Sequence, residues 1–300
     1  MSIQKFKGVW PALFTPVDAR GKLNVPELEK LVELMINQGM DGLYLLGSTG
    51  QGFLFSEEER KEVTARTLQC SNGRIPVMVQ VGAMNTEESI RLARHAAEQG
   101  ADGISSVGPI YYGGGNSAMA ITHYTRIAEA TDLPFFPYQI GGAASNDVIQ
   151  KLLQLPQVKG MKLTTDKLLE IGSIANKAGD RWQLFSGADE LLCQAALCGT
   201  AGAIGTFYNM FGPTCRNIRA GFLEGKVAEA HQFMLTFQGF IETILPYIWT
   251  FLDRGMALKY DIHIGPPKPP LLAPEMPWSD DEIIRMMEQI DTFNVVAEID

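Results

Sequence analysis

One lysine set in a short apolar run, Gly160-Met161-Lys162-Leu163, is the residue best placed in this chain to act as a nucleophile. Leu155-Pro156-Gln157-Val158 precedes it, and Thr164-Thr165-Asp166 follows. That order reads as a turn, a short strand and a helix start. With Met161 and Leu163 facing covering helices, strand alternation turns Gly160 and Lys162 toward the sheet interior. Burial there disfavours the charged form of an amine. Thr164, two residues on, points the same way. Read alone, the same residues also describe a lysine at a strand end with its amine in water.

Other polar groups stand where apolar runs end. Gly47-Ser48-Thr49-Gly50-Gln51-Gly52 follows Gly42-Leu43-Tyr44-Leu45-Leu46. Small residues there let backbone N–H groups face an anion, with the hydroxyls of Ser48 and Thr49 beside them. The stretch lacks the lysine of a P-loop, and a plain tight turn reads the same. Tyr111 and Tyr112 follow Gly103–Val107, and Tyr138 ends the run that begins at Leu133. Gly187-Ala188-Asp189-Glu190 follows Trp182–Ser186, where Asp189 also reads as a helix N-cap. Gly205-Thr206-Phe207-Tyr208-Asn209 closes the last run. Together these supply an amine, a phenol, an anion pocket and two acids. The sequence shows no metal-ligand spacing and no dinucleotide fingerprint, so neither metal nor cofactor is expected. An amine working alone points to covalent catalysis on a carbonyl compound through a Schiff base. The neighbouring anion pocket makes that compound a 2-keto acid.

The elements that must position these groups alternate along the chain. Eight strand candidates have seven helices between them, including a capping box at Ser56-Glu57-Glu58-Glu59. Such alternation implies parallel strands joined by right-handed crossovers. Eight units in roughly 220 residues fit a closed (β/α)8 TIM barrel, an α/β fold whose active site lies at the C-terminal strand ends. Residues 1–212 are therefore read as the catalytic barrel and 213–300 as a C-terminal helical extension packed on it. The extension has an amphipathic segment at 226–245, the Pro-rich stretch Gly265-Pro266-Pro267-Lys268-Pro269-Pro270, and a capping box at Ser279-Asp280-Asp281-Glu282.

Composition narrows the partners. The 300 residues are 46% hydrophobic and 20% charged, ordinary for a chain with a full core. A net charge of −9 without a basic cluster argues against nucleic acid and anionic membranes. Cys70, Cys193, Cys198 and Cys215 form neither a C-x-x-C pair nor a His-partnered site. The first residues lack the apolar core of a signal peptide, and no stretch reaches about 18 uninterrupted apolar residues. A cytoplasmic setting is expected.

With these motifs in place, the chain resembles the pyruvate-dependent class I aldolases, the family of dihydrodipicolinate synthase and N-acetylneuraminate lyase. The resemblance runs from about Gly8 to Leu271. It rests on Gly47-Ser48-Thr49-Gly50, Tyr111-Tyr112, Tyr138, Leu155-Pro156 through Lys162, and Gly205 to Asn209, in that order. It implies that Lys162 forms the Schiff base and that Tyr138 relays protons. Ser48 and Thr49 would hold the pyruvate carboxylate. Thr49 would also link Tyr138 to Tyr111 of a neighbouring subunit in a homotetramer.

Within the family, Gly-Ser-Thr-Gly is similar to the sialic-acid lyases. So are Gly187, Asp189, Glu190 and Thr206, where those lyases hold the sugar's hydroxyl chain, and Thr164 at a substrate position. The stretch Gly265–Leu271 resembles the tail of animal-type lyases. The synthases place an arginine shortly after the tyrosine of the fifth strand; here Gln139-Ile140-Gly141-Gly142-Ala143-Ala144-Ser145 follows Tyr138. Two departures from the lyase pattern stand out: the short Gly141–Ala144 loop, and Gln51 in place of a glutamate. The resemblance thus implies reversible cleavage of a 4-hydroxy-2-keto sugar acid, N-acetylneuraminate foremost, to pyruvate and N-acetylmannosamine. Its alternatives are another pyruvate-forming aldolase or dehydratase acting on a 2-keto-3-deoxy sugar acid, a synthase-like condensation, or a catalytically silent keto-acid sensor. Lys162, Tyr138 and Thr49 together speak against the sensor, which needs no proton relay.

Overall fold

The apolar runs form the staves of one parallel ring, and the amphipathic stretches cover it. In order these are β1 (Gly8–Pro11), α1 (Val25–Asn37), β2 (Leu43–Leu45), α2 (Glu57–Ser71), β3 (Val77–Gln80), α3 (Thr86–Glu98), β4 (Gly103–Val107) and α4 (Ser117–Ala128). There follow β5 (Phe135–Ile140), α5 (Asn146–Leu152), β6 (Gly160–Thr164), α6 (Leu168–Ala178), β7 (Gln183–Ser186), α7 (Leu192–Leu197) and β8 (Gly202–Gly205). This is a computed structural model, which describes residues 3–112, 116–141 and 145–293. The strands pair in parallel in the order β1-β8-β7-β6-β5-β4-β3-β2. The ring closes where Ala12 bridges Tyr44 and the N–H of Leu13 donates to the Tyr44 carbonyl at 2.9 Å. The expected (β/α)8 barrel is the observed fold.

Strand alternation sorts the core into two layers. Met161 and Leu163 face outward and join the cluster between strands and helices, with Leu31, Leu43, Val79 and Ile104. The inward positions Trp10, Tyr44, Met78, Phe136, Phe185 and Ile204, with Phe6, fill the barrel itself. Phe185 lies edge-on to Trp10 at 5.5 Å and to Phe136 at 6.1 Å between ring centres. This packed interior is a floor rather than a pore. Polar inward residues at the C-terminal strand ends stand above it.

Among the described residues four further helices follow: α8 (Tyr208–Leu223), α9 (Val227–Ile244), α10 (Ile248–Tyr260) and α11 (Asp280–Asp291). Position 212, read from sequence as the end of the barrel, falls inside α8, which kinks at Phe211 (φ −126°, ψ 26°) ahead of Pro213. There the Met210 carbonyl accepts from Lys259 Nζ at 2.9 Å and from the Tyr260 hydroxyl at 2.8 Å, tying α10 to α8. Both capping boxes read from sequence form, at Ser56 with Glu59 and at Ser279 with Glu282. Among the described residues no helix is long and apolar enough to cross a membrane.

Candidate active site

Lys162 is the third residue of β6 and is only 4% exposed, so its amine is inside the barrel mouth rather than in water. Its register partners are Tyr138 on β5 and Phe185 on β7. Nζ lies 4.3 Å from the centre of the Tyr44 ring and 4.4 Å from that of Tyr138. The two rings meet edge to face at 6.3 Å and 89°. Tyr44 was not singled out by its type or spacing. The available signal was its inward phase between Leu43 and Leu45, directly before the glycine-rich turn. Complete burial holds its phenol well above the usual tyrosine range, and its hydroxyl donates to Ser105 Oγ at 3.1 Å. Tyr44 is therefore a neutral wall beside the amine.

The Tyr138 hydroxyl lies 3.2 Å from Thr164 Oγ1, and Thr49 Oγ1 lies 2.7 Å from Thr206 Oγ1. The resemblance implies a link between Thr49 and Tyr138; in the single chain each hydroxyl pairs with a threonine of another strand end. The reason is register. Ile140 is opposite Thr164, and the Tyr138 side chain leans along its strand toward that position. Thr49 is buried and Ser48 exposed on the turn after β2, where Thr15 Oγ1 donates to the Gly50 carbonyl at 2.8 Å.

Gly187 follows β7 and packs directly against the amine-bearing residue. A Cβ there would strike Thr164 Oγ1 and lie 3.0 Å from Lys162 Cε. Asp189 is buried, and its Oδ2 accepts from the N–H of Phe207 at 2.8 Å. It thus serves the start of α8 and is not the N-cap expected from sequence, since Ala188 holds the N-cap position of its own turn and Leu191 that of α7. Its Oδ1 lies so close over Gly205 that no side chain fits at that glycine. Desolvation pushes the Asp189 carboxyl up to about 7, against the lowering pull of the Phe207 N–H; Glu190 raises it and Lys162 lowers it more weakly. Glu190 is exposed beside it at the rim.

Tyr111 is 76% exposed and packs edge-on against Tyr112, 5.0 Å between centres. The chain by itself thus gathers Lys162, Tyr138, Thr164, Gly187 and Asp189, pairs Thr49 with Thr206, and leaves Tyr111 at its surface. Of the shortened loop, Gly142, Ala143 and Ala144 lie outside the described residues; Gly141 has φ +56°, and Ser145 caps α5. Among the described residues no group of three or more His, Cys, Asp or Glu could hold a metal ion.

An inward amine on the sixth strand, beside a phenol and a hydroxyl-lined turn, can condense with a carbonyl and move protons around it. The profile of the Dihydrodipicolinate synthetase family matches residues 5–262. The chain belongs to that family. Relatives within reach of sequence comparison include the N-acetylneuraminate lyase of Citrobacter koseri, 34% identical over 255 residues, covering 83% of this chain and 84% of that one. The mouse N-acetylneuraminate lyase is 30% identical over 280 residues, 89% of this chain and 88% of that one. The solved N-acetylneuraminate lyase of Mycoplasma synoviae superposes with a TM-score of 0.85 at 28% identity, covering 97% of this chain and 98% of that one. A Ruminococcus gnavus sialic acid aldolase shares the fold, with a TM-score of 0.90 at 24% identity, 99% of this chain and 98% of that one. As a member of the Dihydrodipicolinate synthetase family with these relatives, the chain is a class I aldolase, a carbon–carbon lyase of the Schiff-base type.

Proposed function

We propose that this enzyme cleaves N-acetylneuraminate, or a closely related 4-hydroxy-2-keto sugar acid, to pyruvate and N-acetylmannosamine, with Lys162 as the nucleophile. The observation that carries the reading is the buried Lys162 amine held between the Tyr44 and Tyr138 rings, beside Thr164. The lyases among its relatives supply the substrate.

In this reading the amine adds to the C2 carbonyl of the open-chain sugar acid, Tyr138 gives its phenol proton to the departing hydroxyl, and water leaves to give an iminium. The Tyr138 phenolate then takes the proton of the C4 hydroxyl. The C3–C4 bond breaks, its electron pair moves into the iminium to give an enamine, and the aldehyde departs. Tyr138 returns that proton to C3, and as water hydrolyses the iminium to free pyruvate and Lys162, the proton released goes back to the Tyr138 phenolate. Substrate, water and side chains balance every step without a cofactor. Ser48 and Thr49 hold the carboxylate; Thr164, Gly187, Asp189, Glu190 and Thr206 face the hydroxyl chain. Tyr111 completes the relay from a neighbouring subunit of a homotetramer, a role supported by its exposure in the single chain. A reducing cytoplasm suits the four free cysteines. A synthase-like condensation has less support, because the stretch Gln139-Ile140-Gly141-Gly142-Ala143-Ala144-Ser145 after Tyr138 holds no arginine to grip a second carboxylate.

The test is pyruvate release from N-acetylneuraminate and from two shorter 2-keto-3-deoxy sugar acids, with borohydride trapping of pyruvate on the same protein. N-acetylneuraminate is expected to give the highest kcat/KM, and peptide mapping to place the adduct on Lys162. A shorter acid as best substrate would move the assignment within the family. An adduct on another lysine, or none, would overturn the mechanism.

A further inference from the structure

The turn that bears Ser48 and Thr49 is held in an unfavourable backbone shape. Leu46 (φ 57°) and Gln51 (φ 52°) both sit in the left-handed region, although neither is glycine. Such residues persist only where surrounding contacts over-determine them. Outside ties include Thr15 Oγ1 on the Gly50 carbonyl and the contact of Thr49 Oγ1 with Thr206 Oγ1. A further one comes from far along the chain: the backbone N–H of Lys268 donates to Gln51 Oε1 at 2.7 Å.

Lys268 belongs to a strap, residues 262–271, that runs without regular structure across the loops following β1 and β2. The strap is pinned along its length. His263 N–H donates to Glu27 Oε2 at 2.8 Å, the Ile264 carbonyl accepts from Val17 N–H at 3.0 Å, and Gly265 N–H donates to Asp253 Oδ1 at 2.9 Å. Lys268 Nζ donates to the Gly21 carbonyl at 3.0 Å and lies 4.2 Å from the centre of the Phe55 ring. Buried Ile262 and Ile264 anchor its start. A fixed strap reaching the turn through one side chain can set where that turn stands.

We infer that Gln51 is a positioning residue: through the Lys268 N–H it locks the Ser48–Thr49 turn to the C-terminal strap and so sets pyruvate binding, without itself touching substrate. This rests on the Schiff-base reading above. A glutamate at this position keeps the function, since a carboxylate oxygen accepts the same N–H. Glycine and asparagine tolerate left-handed backbone, yet neither can reach Lys268, so they remove the tie without adding strain.

The experiment measures, on the full-length protein, the pyruvate concentration that half-saturates borohydride inactivation, beside kcat for N-acetylneuraminate. Gln51→Gly should raise that concentration roughly five- to tenfold, the loss of one neutral hydrogen bond, with kcat changed less. Gln51→Asn, a second route to the same deletion should the glycine variant fold poorly, should do likewise. Gln51→Glu should stay within about twofold of wild type. Half-saturation unchanged in both the glycine and asparagine variants, or a glutamate variant as impaired as they are, overturns the inference. A wild type that pyruvate and borohydride do not inactivate at all overturns the Schiff-base reading instead.

Discussion

Tyr138 and Lys162 are register partners on adjacent strands, and the lysine amine lies 4.4 Å from the centre of the tyrosine ring. The phenol oxygen reaches past the amine to Thr164 Oγ1, at 3.2 Å. Since Thr164 is two residues beyond Lys162 on the same strand face, that oxygen stands on the mouth side of the amine, where substrate enters.

From this placement Tyr138→Phe should lower kcat by at least about a hundredfold, the scale of a lost general acid–base group. The ring remains beside Lys162, so borohydride should still trap pyruvate, more slowly. Near-normal turnover in the phenylalanine variant would remove Tyr138 from proton transfer.

Gly187 should tolerate no side chain. Its Cβ would strike Thr164 Oγ1 and lie 3.0 Å from Lys162 Cε, so Gly187→Ala must displace the nucleophile or the threonine. Activity should fall on the order of a hundredfold, as expected for a small misplacement of a reacting group. Adding Thr164→Ala relieves the harder clash and should restore part of the pyruvate trapping rate. A single Gly187→Ala variant with wild-type trapping would show that the neighbours yield freely.

Asp189 should give the protein a pH dependence of known sign. Its carboxyl is raised from 3.8 to about 7, chiefly by desolvation, so the folded state favours the protonated form. The stability it contributes is complete below the unfolded value and is lost as pH rises through about 7. Between about pH 4 and pH 8, denaturant midpoints of wild type should therefore fall relative to those of Asp189→Asn, which does not titrate. Parallel curves for the two proteins would place the dependence elsewhere.

Tyr111 should matter to activity only in an assembly. Light scattering is expected to show an oligomer, and Tyr111→Phe to lower kcat by roughly tenfold or more while leaving that assembly intact. A fully active monomer at micromolar concentration would contradict the relay from a neighbouring subunit.

The amino-acid sequence alone determined the alternation of elements, both capping boxes and the inward phase of Lys162. These depend on periodicities of two and 3.6 residues and on hydrogen bonds spanning three residues, all of which are local. The hydroxyls after β2 and β8 and the acids after β7 were also legible, because a barrel puts its polar groups at the C-terminal strand ends. Which of these groups touch was decided only by closing the ring. Closure brought Tyr44 to Lys162 across the barrel and Thr49 to Thr206, register turned Tyr138 to Thr164, and the turn after β7 gave the Asp189 carboxylate to the N–H of Phe207. The hydrogen bond between Gln51 and Lys268 spans 217 positions. No local pattern carries such contacts, because they depend on how eight strands stagger against one another and on where the last helices lead the chain back over the barrel mouth.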